Sequence, residues 1–419
     1  MVKIFRFAAV RPEREAASRV AAVPYDVVTA DEAAAIIREN PMSFLRISRP
    51  DAELPDIPPH DDRVYARARE RFDELRSAGV FRDDGSPGMY IYRVSSRAGT
   101  FTGLCCCLPV EDYESGVIRR HEQTRYDKED DRTRHIDAVN ANTGPVVLIY
   151  RDAGSLARLI EGLADTLPPE AEVRWHDGSL HRIFLISDPG DLARIEALFS
   201  TVDRLYIADG HHRAKSAVNV AHRRRQDGRG PRGEEDRFMG VLFADSGVRI
   251  HGYSRMVRDL GGRTREEFMN AVSGSYGIVP CGPVDPSAFQ IAPRQATGNG
   301  HLMHMYLGRT WYECRAKGDP PSDPIATLDV SVLQREVLER ILGITDPRGD
   351  ERLQYLGGAR PIADLEAMVD RGEYAVAFSM QPVNVETVLS IADANGIMPP
   401  KSTWFEPKLL SGLIIHTLS

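Results

Sequence analysis

Apolar positions along the chain follow two rhythms. In MYIYRVSS, TFTGLCCCLPV, VVLIY, RIFLIS, LYIAD and FMGVLFA they alternate or cluster between turn-forming residues, which predicts strands. In RVYARARERFDELRSAG, SLARLIEGLADTL and DLARIEALFSTV they recur every three or four positions, which predicts helices with one buried face. Near the start, VAAVPYDVVTADEAAAIIREN places a proline-containing loop ahead of a helix capped by Thr29 or Asp31, and the next helix stops on Gly79. VRIHGYSR again alternates like a strand. Beyond it, residues 262–320 read as a helix followed by the hairpin HMYLGRTWYECRAKG, bounded by the linker-like DLGGR and GDPPSDP. The last hundred or so residues set helices DVSVLQREVLERILG, IADLEAMVDRG and VETVLSIADANG around strand EYAVAFSM. Irregular alternation of this kind predicts an α+β protein. The expected regions are an N-terminal α/β region at 1–100, a core at 101–261, an inserted helix-hairpin subdomain at 262–320, and a C-terminal α/β region at 321–419.

Composition narrows the function classes. The chain is 42% hydrophobic and 27% charged over 419 residues, enough for two or three cores of ordinary globular type. A net charge of −8 argues against binding nucleic acid through bulk electrostatics, so no nucleic-acid partner is expected. The first residues, MVKIFRFAAVRPERE, carry no signal-peptide core, and no apolar run approaches the roughly 20 residues that span a bilayer. The expectation is a cytoplasmic protein without a membrane partner, and a homo-oligomer is compatible with the sequence. Five cysteines, with Cys105, Cys106 and Cys107 in tandem, make neither a disulfide framework nor a CxxC zinc motif. The triplet reads as small hydrophobes of a buried strand.

The stretch LYIADGHHR, residues 205–213, carries the most specific chemistry. Its apolar run predicts a strand, and Ala214, Ala217, Val218 and Ala221 predict a packed helix after it. Asp209 stands where an N-cap belongs, and Gly210 permits a sharp turn. His211, His212 and Arg213 then occupy the first helical turn, where cations oppose the helix dipole at roughly 0.3–1 kcal/mol each. An anion seated against that turn would reverse the penalty, because backbone N–H groups, dipole and cationic side chains would converge on it. Phosphate is the candidate; the alternative is a turn of neutral histidines facing solvent, or a carboxylate from elsewhere pairing with Arg213.

Two further segments carry candidate chemistry. In RRHEQTR, Glu122 lies among Arg119, Arg120, His121 and Arg125; its carboxylate can accept a hydroxyl proton, or it can belong to a surface ion-pair network. TRHIDAVNANTG then predicts a helix with Ile136 and Val139 inward, ending near Gly144, with His135 open to a structural reading. In the tail, PPKSTWFEPK places Lys401, Ser402 and Thr403 after two prolines, a set suited to a phosphate or carboxylate. RRRQDGRGPRGEEDR, from Arg223, reads as a hydrophilic loop; the literal GxGxxG in it at Gly228–Gly233 follows a basic helix and contains Pro231, so it fails the context of a dinucleotide fingerprint.

These stretches, in this order, resemble the free serine kinases of the ParB/sulfiredoxin-like fold. The chain is more closely similar to a large bacterial family long labelled as a domain of unknown function and related to those kinases. The likeness rests on HEQ at 121–123, the strand–DGHHR–helix unit at 205–221 and RGEYAVAF…GIMPPKSTWFEP at 371–407; VAAVPYDVV and HEQTRYDKEDDRTRHIDAVNANTGP extend it. The resemblance implies a ParB/sulfiredoxin-like mixed-sheet core and phosphoryl transfer from ATP or ADP, with Mg²⁺, to a small hydroxy amino acid such as L-serine. It implies Glu122 as the base on the hydroxyl, and Asp209 as the second acid, near the phosphoryl group and its Mg²⁺. It implies Gly210, His211, His212 and Arg213 as the phosphate-holding turn, and His121, Lys401, Ser402 and Thr403 at the acceptor. The chain departs from characterised kinases in its length and in reading STWFEP at the tail. Sulfiredoxin chemistry needs a cysteine where His211 stands, and a ParB-type arginine-rich box is not evident. Two other readings compete: a non-catalytic or ParB-like nucleotide-binding regulator, and a metallohydrolase built from His121, Glu122, His135, His211 and His212, whose spacings match no zinc signature.

Overall fold

The computed structural model describes residues 1–228, 233–294, 301–318, 321–357 and 360–419. Four residues of the GRGPRG match, 229–232, and parts of the 262–320 region, 295–300 and 319–320, lie outside them. The chain divides into two compact units, one of Met1–Val248 with Pro407–Ser419 and one of Arg249–Glu406. These boundaries differ from the divisions at 100, 261 and 320 expected from the sequence.

The first unit is built on an eight-stranded mixed sheet. In spatial order its strands are Ile118–Arg119, Leu205–Asp209, Val146–Tyr150, Arg237–Ala244, Gly99–Pro109, Met89–Ser96, Leu180–Ile186 and Ala171–Arg174. Leu205–Asp209 runs parallel to Ile118–Arg119 and antiparallel to Val146–Tyr150, while Arg237–Ala244 runs parallel to Val146–Tyr150. One face of the sheet presents Leu104, Cys106, Leu108, Leu148, Ile207 and Leu242 to helices Ser155–Thr166, Pro189–Phe199 and His211–Gln226. The helices answer with Ile160, Ile195, Phe199, Ala214, Ala217 and Val218, the positions their periodicity marks. Fully burying a large apolar side chain of this kind stabilises by about 1.5–3 kcal/mol.

Strand alternation turns Cys105 and Cys107 to the opposite face from Cys106. All three are fully buried, and burial raises each thiol's pKa, as the hydrophobe reading of the triplet requires. A second, four-stranded sheet pairs Phe81–Asp83, Ala9–Pro12, Ile415–Thr417 and Ala141–Asn142. Val10, Ile415 and Ala141 from it pack with Ile37, Phe72 and Val139 of the neighbouring helices. The N-terminal helix Ala30–Glu39 starts at Thr29, whose side chain and that of Glu32 close a reciprocal capping box.

In the second unit, six antiparallel strands lie in the order Tyr276–Pro280, Thr310–Ala316, Leu302–Leu307, Val376–Met380, Ser254–Val257 and Leu353–Leu356. The hairpin expected in HMYLGRTWYECRAKG turns at Gly308 and Arg309, both left-handed, with φ of +59° and +64°. Its first strand pairs with Val376–Met380, so hairpin and C-terminal strand share one sheet. DVSVLQREVLERILG begins helically at Asp329 and widens into π turns over Gln334–Glu339. The mixed α+β class expected from the sequence is the class observed.

Three local expectations are corrected. Asp209 is the last residue of its strand and Gly210, at φ +91°, is the N-cap of His211–Gln226; no side chain caps this helix. The helix expected over 133–144 runs instead from Tyr126 to Val139, because Asn140 turns left-handed at φ 59° and ends it. The hydrophilic loop expected from Arg223 begins as helix through Gln226, since Arg224 finds Asp137 at 2.8 Å and Arg225 finds Asp236 at 2.6 Å.

Candidate functional site

The pairing of Ile118–Arg119 with Leu205–Asp209 builds the site. Because the strands are parallel, with Ile118 opposite Leu205 and Arg119 opposite Tyr206, the chain leaves both at the same end. Arg120–Glu122 and Asp209–His211 therefore emerge side by side although 87 residues of sequence separate Glu122 from Asp209. The register shift between Ile207 and Asp209 against the other neighbour re-aims the strand end just where Gly210 turns the chain.

His211 is the hinge of the arrangement. Only 4% of it is exposed, and its Nδ1 lies 3.6 Å from Glu122 Oε2. Its ring meets that of His121 edge to face, with centroids 4.7 Å apart and planes at 87°. Burial, with His121 as a further cause, drives the His211 pKa well below the usual imidazole value, and burial alone lowers that of His121 to about 4. Both rings are neutral at physiological pH. His212 is held neutral too: burial lowers its pKa, and its Nε2 accepts the backbone N–H of Arg125 at 3.1 Å.

Arg213 does not reach outward. Its Nη1 donates to the carbonyl of Pro145 and its Nη2 to Asp209 Oδ2 at 2.5 Å. The other oxygen of Asp209 accepts from Lys408 Nζ at 2.8 Å. Burial opposes the charge on Asp209, but Lys408 and then Arg213 outweigh it and hold the carboxyl well below the usual carboxylate range. The cationic mouth expected from the sequence is thus a cluster in which the imidazoles are neutral and both cations are held by the Asp209 carboxylate between them. Behind Arg213, Tyr25, Arg132, His135 and Gly144 help line a cavity of roughly 30 Å³, room for one or two waters. His135 is structural there, with Nε2 against the carbonyl of Ile47 at 2.7 Å and burial lowering its pKa to about 4.

Glu122, His121, Asp209, Gly210, His211, His212 and Arg213 all fall in the first unit and around one turn. Lys401, Ser402 and Thr403 belong to the second unit. There Lys401, left-handed at φ 55°, holds its ammonium 5.3 Å over the Tyr253 ring, and buried Ser402 donates to the carbonyl of Pro399 at 2.6 Å; Thr403 is half-buried. Sequence reasoning missed Lys408. It stands 199 residues from the aspartate it touches, and no spacing rule links them.

The set offers a half-exposed carboxylate beside a neutral imidazole, and a helix start with backbone N–H groups flanked by two cations. Those parts can accept a proton and receive an anion. Among the described residues, the His121–His211 pair is not part of a group of three or more side chains close enough to hold a metal ion. No described helix is long and apolar enough to cross a membrane.

No curated protein matches the chain. Among solved structures it is similar to a conserved hypothetical protein from Pyrococcus furiosus, at 13% identity and TM-score 0.33 over 72% of this chain and 90% of that one. It is similar to a free serine kinase in complex with AMP, at 14% identity and TM-score 0.35 over 72% and 86%. A third is SbnI with a C-terminal truncation from Staphylococcus aureus, at 12% identity and TM-score 0.36 over 73% and 85%. A family model matches residues 4–331, and the chain belongs to that family, described as Protein of unknown function (DUF1015).

Proposed function

We propose that the protein is a nucleotide-dependent kinase that phosphorylates the hydroxyl of a free amino acid, with L-serine as acceptor and O-phospho-L-serine as product. The observation that carries this reading is the placement of the Glu122 carboxylate 3.6 Å from His211 at the mouth of a helix whose next cations are Lys408 and Arg213. Phosphoryl transfer asks for little else: a positioned hydroxyl, a base, and positive charge where the phosphoryl oxygens develop theirs.

Glu122 takes the hydroxyl proton as the acceptor oxygen bonds to the terminal phosphorus. The bridging oxygen leaves with the nucleotide, shortened by one phosphate. His211, neutral and buried, orients Glu122 without neutralising it. The backbone N–H groups of the helix start, which no side chain caps, receive the phosphates with Lys408, Arg213 and His212. His121 is assigned to the acceptor. Mg²⁺ enters this proposal as the escort of the nucleotide, supplying charge neutralisation when bound. Asp209 faces a cation with each oxygen, so its carboxylate does not fit as a ready metal ligand and no step is routed through the ion.

The test is product formation. Purified protein, Mg²⁺, ATP or ADP and a panel of hydroxyl acceptors are incubated and followed by phosphorus NMR. O-phosphoserine is expected with the native enzyme, and Glu122→Gln should lose turnover by about 10²-fold or more with nucleotide affinity kept. No phosphorylated product alongside normal nucleotide binding would leave a nucleotide-binding regulator instead.

A further inference from the structure

Away from this turn, on the far face of the Cys105–Cys107 strand, three potential ligand atoms converge. Cys107 Sγ, a carboxylate oxygen of Glu234 and a ring nitrogen of His416 all lie within 4.8 Å of one another. They come from strand Gly99–Pro109, from the turn before strand Arg237–Ala244, and from the terminal strand Ile415–Thr417. Cys107 is fully buried and His416 is 1% exposed.

The surroundings fix which imidazole nitrogen is presented. Asn142 Oδ1 accepts the backbone N–H of Met239 at 3.3 Å, so it is the amide oxygen that faces His416 Nδ1, 3.0 Å away. Nδ1 therefore donates to Asn142, and Nε2 is turned to Glu234 Oε2, 2.8 Å away, with which it shares a proton while no ion is bound. The other oxygen of Glu234 is held by Arg237 at 2.8 Å. This is how proteins orient a metal-binding histidine: an oxygen behind one nitrogen leaves the other aimed at the ion.

We propose that Cys107, Glu234 and His416 form a site for a thiophilic divalent cation of the zinc type, with Asn142 and Arg237 orienting its ligands. An ion pair between His416 and Glu234, with the thiol beside them a buried hydrophobe, would explain each contact separately; an ion explains why all three ligand atoms converge. One thiolate, one carboxylate and a neutral imidazole balance the ion's charge, as a mostly buried site demands. Mg²⁺, which prefers oxygen ligands, would be refused. On binding, the ion takes the place of the thiol proton and of the proton shared between His416 Nε2 and Glu234 Oε2; both leave to solvent, and no electron is transferred. The fourth position opens on the side of Glu234, whose side chain is 36% exposed. The ion would tie the terminal strand to the central sheet, independently of the kinase reading.

Chelator-stripped full-length protein is loaded with zinc chloride, desalted and assayed for metal, and cobalt(II) is then substituted. One zinc retained per chain and a thiolate-to-cobalt charge-transfer absorption are expected. Cys107→Ser should abolish that absorption and weaken zinc at least tenfold in competition with a chromophoric chelator. Glu234→Gln, at a partly exposed position, should weaken zinc similarly while circular dichroism shows an intact fold. Glu122→Gln should bind zinc as the native chain does. Failure of the native chain to retain zinc, or equal retention by Glu234→Gln, overturns the proposal.

Discussion

Gly210 is where backbone and charge network meet, so Gly210→Ala is the most informative single change. At φ +91° an alanine pays for a left-handed backbone, about 1–2 kcal/mol. A Cβ there would also sit 2.9 Å from Arg213 Nε, 3.0 Å from Cζ and 3.1 Å from Nη2. Arg213 would have to shift by a few tenths of an ångström, which weakens its bonds to Asp209 and Pro145, at most to the point of losing them. Hydrogen bonds to charged groups contribute about 1.5–3 kcal/mol when well buried. Asp209 is 31% exposed and Arg213 14%, so solvent screening reduces this to about 1–2 kcal/mol.

The control is Gly178→Ala in the same unit, which has φ +85° and nothing within 4 Å of its added carbon. Both variants pay the backbone cost; only Gly210→Ala pays for Arg213. Urea unfolding followed by circular dichroism should place Gly210→Ala below Gly178→Ala by about 1–2 kcal/mol, or ~0.5 M in midpoint. In an Arg213→Ala background the excess should vanish, a coupling that a double-mutant cycle reads directly. Equal midpoints for the two glycine variants, or an excess that survives loss of Arg213, would refute this account of the turn.

Acid should unfold the first unit through its histidines. Burial holds His121, His135 and His181 near 4 and His211 well below its ordinary value, against about 6.5 when unfolded. A depressed histidine pKa means stability fully present above 6.5 and lost as pH falls toward the folded value, at about 1.4 kcal/mol per pH unit for each group. Denaturant unfolding from pH 7.5 to 5 should show uptake of several protons on unfolding; a slope of less than one proton would contradict the neutral, buried assignment. The cysteine triplet should be chemically silent: in chelator, a thiol reagent should label at most half-buried Cys281 quickly in the native protein, and all five cysteines only after unfolding.

Much of the fold was legible because it rests on local signals. The capping box at Thr29, the glycine stop after the second long helix and the apolar runs of the central sheet each obey a rule contained within a dozen or so residues. The short strands Ala9–Pro12, Ala141–Asn142 and Ile415–Thr417 were not legible. They have two to four residues each and gain their identity only from partners far along the chain. Pairing at that distance leaves no period to detect.

The site was legible in its parts, while the sequence left its electrostatics open between a cationic turn and a neutral, carboxylate-paired one, for a physical reason. Counting His211, His212 and Arg213 as cations treats each side chain as if in water, where an imidazole is near its titration point and a guanidinium is unpaired. Burial takes the histidines out of the charge count, and Asp209 answers Arg213 across one helical turn. The sequence placed Asp209 as a cap for backbone N–H groups. By ending the strand instead, it leaves those groups unsatisfied by side chains and spends its own charge on Arg213 and Lys408. On the proposed reading, an incoming phosphate would meet the amides of the helix start and compete with Asp209 for two cations already held in place. Such a site would receive an anion without depending on unpaired cations, which suits a chain whose net charge is −8.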